Sequence, residues 1–282
     1  MNLLDLHCDT ALELYKRNLP FKNNVLSVTL NSSDCFHKWV QTFAIWINDN
    51  AENPFVLYKN ILNHIKNKLR NKPLNLTPIF AVEGGWVLEN DIDRLEIIKK
   101  DGIKMLTLTW NGENPIGGGC KSDKGLTDFG REVIKKLNTL KIATDLSHLN
   151  TKTFFKALEI ADFPLASHSN CFEICQHPRN LSLEQFKLIT EKGGIIGLTF
   201  YPPFLGGDVF EKIYQNIFVL CDKNLENHIA IGTDFDGAQM DKKLQKTSDV
   251  PYLYHYLEKR GLKKTLLDKI FFENGYKFIA KL

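Results

Sequence analysis

Short apolar runs rich in β-branched residues recur along the chain, separated by stretches with helical periodicity. Eight of them read as strands: Asn2 to Leu6, Val40 to Ile47, Thr77 to Val82, Ile103 to Leu108, Ile142 to Leu146, Pro164 to Ala166, Gly194 to Phe200, and Ile229 to Gly232. Between Thr127 and Leu137, the apolar residues Phe129, Val133, Ile134 and Leu137 fall on one helical face. Ser182-Leu183-Glu184-Gln185 opens another helix with a capping-box pattern, and Asp91 to Lys100, Thr151 to Ile160 and Val209 to Cys221 read similarly. The chain ends in helices. Gly117-Gly118-Gly119 predicts a flexible turn, since it lacks the lysine and the spacing of a phosphate-binding loop.

Strands that alternate with helices build parallel sheets, and eight such units close into a (β/α)8 TIM barrel. A chain of 282 residues suits one barrel, and no Pro/Gly/Ser-rich linker or repeat divides it, so residues 1–282 are expected to form a single domain. With 43% hydrophobic and 24% charged residues, there is enough apolar material for a large core. Lys and Arg outnumber Asp and Glu by 36 to 33, and the basic residues are scattered. The densest basic run, Lys66 to Lys72, reads as the solvated face and exit of a helix, and no aromatic-interleaved basic patch points to nucleic acid. No apolar run approaches the length of a membrane span, and no leader pattern precedes the first strand. The six cysteines form no CxxC pair and predict reduced thiols, so the expected location is cytoplasmic.

Candidate chemistry gathers at the ends of the predicted strands. His7 and Asp9 lie two apart after the first run, a spacing that puts both on one face of an extended chain. Taken alone, His7 reads as a hydrogen-bonded core histidine and Asp9 as a helix cap. Their company argues otherwise: Glu83, His148, His168 and Asp234 each follow another apolar run, and in a barrel the carboxyl ends of the strands share one mouth. Neutral imidazoles suit zinc, and a carboxylate offers two oxygens to two cations. Asp236, in Asp234-Phe235-Asp236-Gly237, reads as a turn residue that caps the last helix.

Five ordered segments resemble the membrane (renal) dipeptidases, peptidase family M19 of the amidohydrolase superfamily. They are Asp5-Leu6-His7-Cys8-Asp9-Thr10, Gly125 to Gly130, Asp145-Leu146-Ser147-His148, Ser167-His168-Ser169-Asn170, and Gly232 to Gly237. The resemblance implies a metal-dependent hydrolase barrel with two zinc ions: Glu83 bridges them, His7 and Asp9 complete one site, and His148 and His168 complete the other. It implies Asp234 as general base and then acid, and Arg179 and Tyr201 as partners of a substrate carboxylate. The implied substrate is a small dipeptide, and a homodimer is suggested. The chain departs from the family at Trp110, where a histidine near the scissile carbonyl is common; Trp110 and Asn111 therefore join the candidate substrate contacts. That departure keeps open a two-metal hydrolase of another small amide, lactam or ester. A catalytically silent metal-binding or ligand-sensing barrel is the alternative from another class, and retention of Asp234 beside five candidate ligands speaks against it.

Overall fold

The computed structural model describes residues 1–282. All eight expected runs form parallel strands: β1 Leu3–Asp5, β2 Trp39–Trp46, β3 Leu76–Glu83, β4 Ile103–Thr107, β5 Ala143–Asp145, β6 Pro164–Ala166, β7 Ile195–Leu198 and β8 Ile229–Ile231. They pair in chain order, and Ile231 of β8 pairs with Asp5 of β1 to close a (β/α)8 barrel.

Several strands are shorter than their apolar runs because side chains take over the backbone partners at the mouth. The Asp5 carboxylate accepts from the N–H groups of His7 (3.2 Å) and Thr233 (2.8 Å). β1 therefore stops before His7, although Asp234 N–H still donates to the His7 carbonyl at 3.1 Å. Asp145 does the same for β5, accepting from Ser147 N–H and Ser167 N–H at 3.0 Å each.

Two apolar layers hold the barrel. Leu4, Leu6, Val40, Ala81, Met105, Ala143, Leu165, Ile195 and Ala230 form its inner cluster, joined by Phe272 and Phe278 from the last helical segment. That segment seats on β1 because Gly275 has no side chain: a Cβ there would stand 2.5 Å from Leu4 Cδ2. A larger cluster, including Trp39, Phe43, Tyr58, Phe154 and Phe186, joins the strands to the surrounding helices.

The caps explain where expected helices begin. Thr127 Oγ1 accepts from Gly130 N–H at 2.9 Å ahead of Asp128–Leu140, and both bonds of the Ser182/Gln185 capping box are present. The helix expected from Asp91 begins instead at Arg94, since Asp91 Oδ1 takes Asp93 N–H into a turn. Pro54–Lys68 is helical and ends within the basic run, as its exit role requires. The Gly117–Gly119 turn is not the flexible loop expected. All three glycines are buried, and a Cβ at Gly119 would lie 2.0 Å from the Trp110 carbonyl oxygen. All six cysteines are unpaired, and no helix is long and apolar enough to cross a membrane.

Candidate metal centre

The strand ends bring the five candidate ligands to one buried point, all 7% exposed or less. Glu83 lies at its middle. Its Oε2 faces His7 Nε2 at 3.4 Å, while its Oε1 faces His148 Nε2 at 2.8 Å and His168 Nε2 at 3.8 Å. Asp9 Oδ2 stands 3.4 Å from the same His7 nitrogen. Donor atoms of His7, Asp9 and Glu83 form one group within 4.8 Å, those of Glu83, His148 and His168 a second, and those of His7, His168 and Asp234 a third.

Local backbone geometry aims these groups. Gly84 follows Glu83 with φ 102°, and a Cβ there would strike the Ile47 carbonyl oxygen at 2.4 Å. His148 and Asp234 adopt left-handed backbone, φ 71° and 64°, a region that His and Asp enter more readily than most residues. Asp9 precedes the helix Thr10–Arg17, yet its side chain makes no cap hydrogen bond, which leaves the carboxylate free to face the cluster. Asp236 does not cap the last helix. Its carboxylate instead accepts from Thr10 Oγ1 (2.6 Å), Ser27 N–H (2.7 Å) and Val28 N–H (3.3 Å), tying the Ser27–Val28 segment to the barrel mouth.

Burial and mutual charge set the protonation of the cluster. Burial opposes charge on both Glu83 and His7, but each is the other's counter-ion. Glu83 is held well below its ordinary value by His7 and His148, and His7 well above by Glu83 and Asp9. Burial, with Arg179 nearby, takes His148 down to about 4, and burial with His7 nearby puts His168 well below its usual range. Burial and Glu83 push Asp9 up to about 6. Asp234 is pushed up to about 8, chiefly by burial, with Asp9 and Glu83 adding to it.

A cavity of about 550 Å³ opens above the cluster. On one side stands Arg179, 5% exposed, over the ring of Phe204 at 5.4 Å. Its Nη2 donates to the His168 carbonyl at 3.4 Å, and its Nε has no partner. Tyr201 lines the same side and meets Phe204 edge-on. Trp110 and Trp46 line the cavity too, edge to face with ring centroids 5.2 Å apart. Asn111 also lines the cavity, but its Oδ1 is turned to His148 Nδ1 at 2.9 Å. Sequence reasoning passed over Trp46 and Phe204. Trp46 ends an apolar strand, where an aromatic reads as core, and Phe204 sits in the short Pro-led helix Pro202–Leu205 beyond β7.

The family model for membrane dipeptidases, peptidase family M19, matches residues 43–281. The chain belongs to the membrane dipeptidase family. An uncharacterized protein of the pqqA 5′ region of Klebsiella pneumoniae is 31% identical over 223 residues, covering 73% of this chain and 82% of that protein. An uncharacterized dipeptidase of Schizosaccharomyces pombe is 30% identical over 213 residues, covering 72% of this chain but 51% of that protein. A metallopeptidase from Rhodobacter sphaeroides, solved with a phosphinate mimic of the dipeptide L-Ala-D-Ala, superposes with a TM-score of 0.90 at 23% identity, covering 100% of this chain and 99% of that one. The dipeptidase AC, a metallopeptidase of family M19, has the same TM-score and identity, covering 100% and 98% of the two chains. Membership makes this chain a hydrolase of the metallo-dipeptidase type. The family match begins after His7 and Asp9; the barrel brings both beside Glu83.

Proposed function

We propose that this chain is a zinc-dependent dipeptidase that cleaves the single peptide bond of small dipeptides. The observation that carries the reading is Glu83: its two oxygens face two separate sets of donors at the floor of the cavity. The donor set fits a pair of cations. His7 Nε2 is buried with no hydrogen-bond partner, and the His148 and His168 Nε2 atoms approach to 2.8 Å. His7, Asp9 and Glu83 would hold one ion, and Glu83, His148 and His168 the other. Zinc held there would supply Lewis acidity toward water and the scissile carbonyl.

The protein's own groups bind the dipeptide and move the proton. Arg179 presents a nearly buried guanidinium with an unpartnered Nε, a fork suited to the substrate's terminal carboxylate, with Tyr201 beside it. A carboxylate fixed there limits the distance to the cleaved bond, so dipeptides fit and longer peptides do not. Asp234 takes the proton of the attacking water at its carboxylate and returns it to the leaving amine. A carboxyl pushed up toward neutrality suits both transfers, and cations nearby draw its value down again.

A second reading keeps this chemistry and changes the substrate to another small amide, lactam or ester. Trp110 favours it, because an indole N–H can donate a hydrogen bond but cannot act as an acid. Zinc-reconstituted protein, with metal content measured, is to be tested on free dipeptides, their C-terminal amides, tripeptides, lactams and esters. Hydrolysis of free dipeptides alone is the expected outcome. Turnover confined to lactams or esters would move the assignment to the second reading, and metal bound with no turnover at all would reject both.

A further inference from the structure

Behind the candidate ligands lies a hydrogen-bond relay that the proposed function does not use. Asp145 closes β5 and Ser167 follows β6; both are 2% exposed. Asp145 receives four donors. Its Oδ1 takes the N–H groups of Ser147 and Ser167, and its Oδ2 takes Thr107 Oγ1 at 2.7 Å and Ser167 Oγ at 2.6 Å. A carboxylate so surrounded acts as an acceptor, and the only proton of the Ser167 hydroxyl is committed to it.

That commitment decides the next contact. Ser167 Oγ lies 2.7 Å from His168 Nδ1, and with its proton spent the oxygen can only accept. The ring proton of His168 must then sit on Nδ1, which leaves Nε2 as a bare lone pair directed at Glu83 and His148. The opposite tautomer would set a lone pair against a lone pair at Ser167; in the assigned state the Nε2 lone pair of His168 instead meets that of His148 at 2.8 Å, a repulsion that a cation held between them would relieve. The same hydroxyl oxygen stands 3.5 Å from His7 Nδ1, at the limit of hydrogen bonding, with the centroids of the two imidazoles 3.9 Å apart and their planes tilted by 39°. His148 reaches the same state by a different partner, since the Asn111 oxygen at its Nδ1 is also an acceptor.

We infer that Asp145, acting through the Ser167 hydroxyl, is a positioning residue that fixes His168 as its Nδ1–H tautomer and so presents Nε2 to the metal cluster. The inference rests on the proposed function only for what Nε2 is used for; the tautomer belongs to the protein itself. Ser167 is held in place by close backbone approach. Both Gly197 and Gly232 lie against its carbonyl, where a Cβ would come within 2.1 and 1.7 Å of the oxygen. The hydroxyl is thus set by three neighbouring strands, a degree of order that a merely space-filling serine does not need.

The test reads the tautomer directly. Two-bond proton–nitrogen correlations on the full chain with ¹⁵N-labelled histidine, after chelator treatment, should show His168 protonated at Nδ1. Ser167→Ala should abolish that signature and weaken zinc binding, measured by competition with a chromogenic chelator, by about tenfold to a hundredfold. Thr107→Val removes a different donor from the same Asp145 oxygen; it should leave the His168 signature in place and zinc affinity close to that of the unmodified chain. A wild-type His168 protonated at Nε2 overturns the inference without any variant. So does a Ser167→Ala protein with unchanged tautomer and affinity, or a Thr107→Val protein that loses both to the same extent. A chain that shows the signature, and loses it in Ser167→Ala, yet hydrolyses no dipeptide would sink the dipeptidase proposal and leave this one standing.

Discussion

Asp234 holds its carboxylate against the cluster from a left-handed backbone position, within 4.8 Å of His7 and His168 donor atoms. An amide of the same shape would keep the packing and lose the proton transfer. Asp234→Asn should therefore lower kcat on dipeptides by about 10² to 10⁴ while bound zinc stays unchanged; turnover and metal analysis on one sample check it, and activity within tenfold of wild type would remove Asp234 from the role. Arg179 calls for a different signature. Lysine keeps the charge but not the planar fork, so Arg179→Lys should raise KM for free dipeptides by about tenfold, or ~1.4 kcal/mol, with kcat little altered. Trp110 is a gain-of-function case. If an imidazole there assists the developing oxyanion, Trp110→His should raise dipeptide turnover, up to about 10²-fold. Unchanged dipeptide kinetics would show that the departure at this position carries no catalytic weight.

Between residue and barrel, the turn after β8 decides whether two carboxylates can converge. A Cβ on Gly237 would lie 2.3 Å from Asp9 Oδ2 and 2.7 Å from Asp234 Oδ1, so the bare Cα is the surface over which both groups close. Gly237→Ala should fold with a loss of about 1–3 kcal/mol and bind zinc more weakly than wild type by calorimetric titration; equal affinity would mean that the carboxylates need not meet. This turn also shows what the sequence made legible. The eight strands were readable because each is an apolar run, and the candidate ligands because His, Asp and Glu stand where such runs end. Helix Pro54–Lys68 was legible at its basic exit, and Pro54 at its first position marks its start, although Asn53 is left-handed and makes no cap bond. Asp236 looked like a cap, because nothing in one dimension places Ser27 and Val28 beside it. Asp145 and Ser167 went unread for the same reason, since a short polar residue at a strand end resembles a turn former until the facing strand is known. Arg179, carried by a loop rather than a strand, was visible only through family resemblance.

For the molecule as a whole, the cluster ties stability to pH and to metal. A group whose value is raised on folding binds its proton more tightly in the folded state; the stability it contributes is complete below its unfolded value and is lost as pH rises through the folded one. Asp234, ordinarily near 3.8 and pushed up by burial to about 8, and His7, raised well above 6.5 by Glu83 and Asp9, both behave this way. His148 and His168 have the opposite sign, but their windows lie below 6.5, where their unfolded forms become charged. Asp9, raised to about 6, has largely titrated by that point. From pH 6.5 to 8 the slope therefore belongs to Asp234 and His7, and it is downward. Asp234 alone accounts for roughly 2 kcal/mol across that interval, at ~1.4 kcal/mol per pH unit, or about 4–8 °C in Tm for a chain of this class. Zinc changes the balance, because its ligands must be deprotonated and its affinity climbs with pH. Chelator-treated protein should lose several degrees of Tm between pH 6.5 and 8 at one scan rate, while zinc-loaded protein should hold or gain. A chelated chain whose Tm is flat or rising over that interval would show that these buried groups do not retain their protons, and with them would go the electrostatic picture of a cluster built to be neutralised by cations.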